Sequence, residues 1–102
     1  MRRACKKDDN HREVVAALRK VGAFVQDTAS LGQGVPDLFV AHNGATAFFE
    51  VKDGSKVPSA QKLTTPEIRW ILALESRAPV WVVTSAVQAV EIVSRWGFWR
   101  NS

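Results

Sequence analysis

The chain has 102 residues, 46% of them hydrophobic, and a formal net charge of +4 at pH 7. That length allows one domain with one modest core, and the composition excludes a disordered chain. The basic balance favours a polyanionic partner, nucleic acid ahead of a membrane surface, with a merely basic soluble protein as the competing explanation.

The opening residues, MRRACKKDDNHRE, are basic but hold no apolar stretch, so they do not read as a secretory signal. Residues 1–9 are expected to form a basic, mobile arm. Its Arg2, Arg3, Lys6 and Lys7 would add nonspecific, salt-sensitive affinity for nucleic acid. Residues 10–102 are expected to be a single domain. Cys5 is the one cysteine, which excludes an intramolecular disulfide and a thiolate zinc site and fits a reducing cytosol. No apolar run approaches the length of a membrane span, so no membrane partner is expected.

Residues 10–21 predict the first helix. Asn10 is a suitable N-cap, Glu13 completes a capping-box-like pair, and Val14, Ala17, Leu18 and Val21 form the apolar stripe. Glu13 sits on the flank of that stripe, and Gly22 ends the helix. AFVQDTA, 23–29, predicts a first strand, and SLGQG, 30–34, a glycine-punctuated loop. VPDLFVA and ATAFFEVK predict the next two strands, joined by HNGA. DGSKVPSAQKLTT, 53–65, reads as a polar loop. Thr65-Pro66-Glu67 predicts an N-cap with proline at the first helical position, the helix continuing through IRWILALE. PVWVVT, 79–84, is wholly apolar and predicts a central strand parallel to one of the hairpin strands. Ser85 caps a last helix that ends at Gly97. The order α-β-β-β-α-β-α predicts an α/β fold, a mixed sheet flanked by helices.

Asn43-Gly44 between apolar runs is the signal of a two-residue type I′ hairpin. With that turn His42 pairs with Ala45, Phe39 with Phe48, and Asp37 falls opposite Glu50. Opposed residues have Cβ atoms roughly 4.5–5.5 Å apart, and like charges there destabilise the pair. Alternation places Lys52 on the face of Glu50. A hard divalent cation such as Mg²⁺, which binds one or two carboxylates together with water and substrate phosphate, resolves this convergence. A salt-bridged cluster at the sheet end is the competing explanation.

Pro36-Asp37, then Glu50-Val51-Lys52, with the helical acid Glu13 upstream, resemble the PD-(D/E)XK nuclease superfamily. GVPD, EVKDGSK and KLTTPE look most like the VRR-NUC group, especially its small stand-alone phage forms; the likeness spans residues 10–96. It implies a restriction-endonuclease-like core and Mg²⁺-dependent hydrolysis of phosphodiester bonds in DNA, with Mn²⁺ able to substitute. A structure-selective endonuclease on branched or Holliday-junction DNA is the implied finer activity. By the same resemblance Asp37, Glu50 and the Val51 carbonyl hold the metal, Lys52 orients or activates the attacking water or neutralises the phosphorane, and Glu13 completes the acidic cluster. The family glutamine near the next helix has Gln61, Glu67 or neither as its equivalent, and Glu67 is equally explained as an acid at a helix N-terminus.

Lys56, Lys62 and Arg69 are candidates to hold phosphates beside the cleft, against a plain solvated surface. Gly32 and Gly34 let the backbone turn before the active strand. His11 and His42 have no partner at metal spacing and are expected at the surface; Trp70 and Trp81 are expected in the core. Trp96, Phe98 and Trp99 either close the core or cover a second copy, and a homodimer is expected. No small-molecule cofactor is expected, and the location follows as the cytoplasm, of a bacterial host if the chain is phage-derived. A non-catalytic nucleic-acid-binding module on the same fold is the rival function, and a structural accessory protein the third.

Overall fold

A computed structural model of the chain describes residues 9–54 and 62–97. Its elements are α1 (Asp9–Lys20), β1 (Phe24–Asp27), a 3-10 turn (Ala29–Leu31), β2 (Leu38–His42), β3 (Ala45–Val51), α2 (Thr65–Leu74), β4 (Val80–Val83) and α3 (Ala86–Ser94). This is the α-β-β-β-α-β-α order, folded as a small α/β domain with a four-stranded mixed sheet. Among the described residues no helix is long and apolar enough to cross a membrane.

The Asn43-Gly44 turn sets the register. Both residues take positive φ, 52° and 86°, as a type I′ turn requires. His42 then pairs with Ala45, Phe39 with Phe48 and Leu38 with Phe49, as the turn length dictates. β1 extends this pair antiparallel on the β2 side, and β4 adds parallel to β3.

The sheet order is β1-β2-β3-β4, so β4 is an edge strand and not the central one its apolar sequence suggests. The hairpin already occupies one side of β3 with β2, and the crossover through α2 delivers its strand to the other, open side. Val83 is fully buried, but Trp81 is 43% exposed and Val82 38% exposed. Trp81 is therefore no core residue.

Alternation along the strands divides the sheet into two faces. Val25, Leu38, Val40, Ala47, Phe49 and Val83 face Val14 and Leu18 of α1 and Ala89 and Val93 of α3, and together form the buried core. Trp96 closes it by standing edge-on to Phe49, ring centroids 6.3 Å apart. Phe98 and Trp99 lie outside the described residues. The opposite face carries an edge-to-face row, Phe24–Phe39–Phe48, which ends on Trp70 of α2 at 5.8 Å from Phe48. Trp70 is half-buried there, against the sheet face rather than inside the core.

Candidate active site

Strand pairing between β2 and β3 stops at Leu38 and Phe49. Asp37 is next in line, facing Glu50, but it does not continue the ladder. Its Oδ2 accepts from the Val51 N–H at 2.8 Å, and its carbonyl accepts from the Thr28 N–H at 2.8 Å. Thr28 also donates its hydroxyl to the Pro36 carbonyl at 2.6 Å, so the end of β1 fastens Pro36-Asp37 from both sides.

Glu50 is buried, 4% exposed, on the α2 side of the sheet. Lys52, two positions on, reaches back over it: Nζ lies 3.5 Å from Glu50 Oε2 and 3.1 Å from Glu67 Oε1. Glu67 arrives from the first turn of α2. It is the far half of a capping box in which Thr64 Oγ1 accepts from the Glu67 N–H while Glu67 Oε1 accepts from the Thr64 N–H at 2.8 Å. The cap is Thr64, one residue before the expected Thr65. Glu67 is thus the helix-terminal acid that the sequence offers as one explanation, and the same carboxylate also reaches Lys52.

Gly34 seats α2 against the loop. At φ 87° it is in the left-handed region, and a Cβ there would stand 2.3 Å from the Pro66 carbonyl oxygen. The absence of a side chain therefore lets the loop that carries Asp37 meet the helix turn that carries Glu67.

Three carboxylates around one ammonium cannot all ionise as they do in water. Burial pushes the Glu50 carboxyl up to about 9, helped by its hydrogen bond to Glu67 and by the charges of Asp37 and Glu67, with Lys52 opposing. Burial also raises Asp37, against the Val51 N–H and the charges of His11 and Lys52. Glu67 goes the other way. Its burial is outweighed by hydrogen bonds from Glu50, from the Thr64 N–H and from Lys52, so it stays ionised below the usual carboxylate range. Burial works against the Lys52 ammonium, but Glu67 and Glu50 outweigh it and hold the charge on. Glu50 thus keeps a proton that it donates to Glu67, with Lys52 bridging the pair.

Supporting residues that the sequence did not reveal complete the site. His11, expected at the surface, is 6% exposed, with Nε2 3.2 Å from Asp27 Oδ2 and its charge felt at Asp37. α1 turns it inward because it lies one helical turn before Val14 on the core side. His42 is half-buried. Asn10 does not cap α1, which begins one residue earlier. Its side-chain amide donates to the Lys52 carbonyl at 2.7 Å and the Thr84 carbonyl at 3.3 Å, tying α1 to the ends of β3 and β4. Asn10 therefore fixes the backbone that carries Lys52. Only its generic capping chemistry was visible in sequence, because its partners lie far along the chain.

The remaining expected residues are dispersed. Glu13 is exposed and lines a separate cavity of about 480 Å³ with Asp9, Asn10, Asp53 and Ser85, at the α1–α3 side of the same sheet end. The acids that bear on Asp37 and Glu50 are each other and Glu67, not Glu13. Val51 presents its N–H to Asp37. Lys62 and Arg69 are exposed, and Gln61 and Lys56 fall outside the described residues.

Among the described residues no three or more His, Cys, Asp or Glu side chains converge to hold a metal ion. The donor set at the site is nonetheless oxygen-only, Asp37 with Glu50, and Glu50 holds a proton that a cation would replace. That set suits a hard ion that keeps several waters. No family model matches the chain, and no curated protein or solved structure matches it.

Proposed function

We propose that this chain is a metal-dependent nuclease of PD-(D/E)XK type, similar to the VRR-NUC group, that hydrolyses phosphodiester bonds in DNA. The observation that carries the reading is the Asp37–Glu50–Lys52–Glu67 group. A domain this small buries Glu50 beside two further acids, at a free-energy cost that folding alone does not require. Asp37 and Glu50 are the residues that would hold Mg²⁺ or Mn²⁺, with the Val51 carbonyl as a third ligand by resemblance. The chemistry such an ion supplies is polarisation of the phosphoryl oxygen and neutralisation of the charge that develops on it.

The residues themselves do the rest. Lys52 holds a compact positive charge beside the pair, suited to orienting a water or a phosphate oxygen. Glu67 pins that ammonium and accepts a hydrogen bond from the protonated Glu50. Asn10 and the Thr28–Pro36 bond keep the two strand ends from drifting. The net charge of +4 supports a nucleic-acid substrate. Branched or junction DNA is the finer reading, and a second copy of this chain is a proposed partner. The apolar β4 edge, exposed at Trp81 and Val82 and without a charged residue in the strand, supports that partner.

Incubation of branched, duplex and single-stranded DNA with Mg²⁺, Mn²⁺ or EDTA tests the activity. Cutting in metal, none in EDTA, and none by Asp37→Asn or Lys52→Ala is expected. An inert wild type in every metal would sink the enzyme and leave the rival, a nucleic-acid-binding module. Cutting that survives in both variants would move the site elsewhere.

A further inference from the structure

Beside the site, a groove of about 620 Å³ follows the outward side of α2, walled by Gln33, Pro66, Arg69, Trp70, Ala73 and Arg77. Its composition differs from that of the acidic site it adjoins: two arginines, one indole and no acidic lining residue. Arg69 has no hydrogen bond or ion pair among the described residues. Arg77 uses one of its five N–H donors to hold the Ala73 carbonyl at 2.8 Å, which fixes the guanidinium near the groove. Trp70 is braced from behind by Phe48 and lines the groove with part of its ring. The groove begins at Pro66, next to Glu67, where Gly34 brings the loop and the helix into contact. It therefore adjoins the helix turn that carries Glu67.

We propose that this groove takes an unpaired nucleotide of the strand that runs into the site, its base stacked on Trp70 and its flanking phosphates on Arg69 and Arg77. An aromatic ring beside cations, lining a groove with no acid, is the chemistry that holds single-stranded nucleic acid without reading its sequence. A duplex presents its bases already stacked, so the indole gains nothing from it. A phosphopeptide would use the arginines but leave the indole idle. The inference rests on the nuclease reading and adds that the substrate carries a single-stranded segment next to the cut.

Binding of a fluorescent oligothymidylate in EDTA, followed by anisotropy, tests the groove separately from cutting. Trp70→Leu should weaken binding roughly 5- to 140-fold, the size of one base–aromatic stack. Oligonucleotides with an abasic residue at successive positions should lose a similar factor at one position with wild type, and nothing further with Trp70→Leu. Arg69→Ala and Arg77→Ala should each lower the salt slope by about 0.7, the value for one phosphate contact on a single strand. Because Trp70 also packs on Phe48, Ala73→Glu, an exposed helix position, serves as the variant that folds; it should weaken binding at least tenfold. Equal binding of intact and abasic oligonucleotides by wild type, or unchanged binding by Ala73→Glu, would overturn the inference. Cutting that depends on Asp37 and Lys52 in the same preparations would then leave the nuclease standing. The expected binding without any cutting would keep the groove and sink the nuclease.

Discussion

On one face of the sheet Leu38, Val40, Phe49 and Val83 disappear beneath α1 and α3; on the other, Phe48 and Glu50 meet α2, a helix with no fully buried residue, and Phe39 packs beside Phe48. The same strands build both faces, and alternation alone decides which residue goes where. The first face is mostly aliphatic and closely covered and supplies the burial that folds the chain. The second is half-open and aromatic and carries the costly charges. A small domain can bear such charges because its stability is vested in the other face.

The largest expected effect lies on the charged face. Lys52→Ala should reduce cleavage by roughly 10²–10³-fold, the range for loss of one positioned electrostatic donor, while the circular dichroism spectrum stays that of wild type. Unfolding by Lys52→Ala would show that the charged face also supports the fold and would break the contrast.

Phe49→Ala should cost about 3–5 kcal/mol in urea denaturation, because a fully buried ring leaves a cavity. Phe39→Ala, on the open face, should cost about half as much or less, since water reaches the site it vacates. Equal costs would mean that both faces are core.

The pH dependence sharpens the contrast further. With Glu50 held up to about 9, the folded chain keeps a proton that the unfolded chain releases above the ordinary carboxyl value of 4.5. Between those values the folded state binds more protons, so stability falls as pH rises, by at most about 1.4 kcal/mol per pH unit from this group, and levels off above 9. Glu50→Gln should flatten the fall and be more stable than wild type at pH 8. Mg²⁺ should stabilise wild type at pH 8 and leave Glu50→Gln nearly unmoved. A wild type as stable at pH 9 as at pH 5 would refute the buried proton. The smallest effect is Thr64→Ala, which removes half of the capping box and should cost about 1 kcal/mol, read as a shift in urea midpoint.

Much of the site was legible because it is local or set by a turn. Asn43-Gly44 gave the register, and the register brought Asp37 to Glu50 and set Lys52 on the same face. Glu67 is legible as a helix-terminal acid, and its capping box is there; that it also reaches Lys52 is a matter of tertiary proximity. Asn10 and His11 depart from their sequence expectations because capping propensity and sequence neighbours say nothing of partners at the far ends of strands. Glu13 was expected in the acidic group from the resemblance, yet its helix directs it to the Asp53 side. Trp81 and β4 were judged by hydrophobicity, which cannot tell a central strand from an apolar edge.

By itself the sequence determined the element order, the hairpin register and the face of each strand residue. These follow from interactions over a few residues: caps, turns and a period of two. Only the tertiary structure decided that β4 is an edge, that α2 delivers Glu67 to Lys52, and that Asn10 clasps the Lys52 carbonyl. Each of those depends on which distant segments come to share space. That is a property of how helices cover a sheet, and no local pattern encodes it.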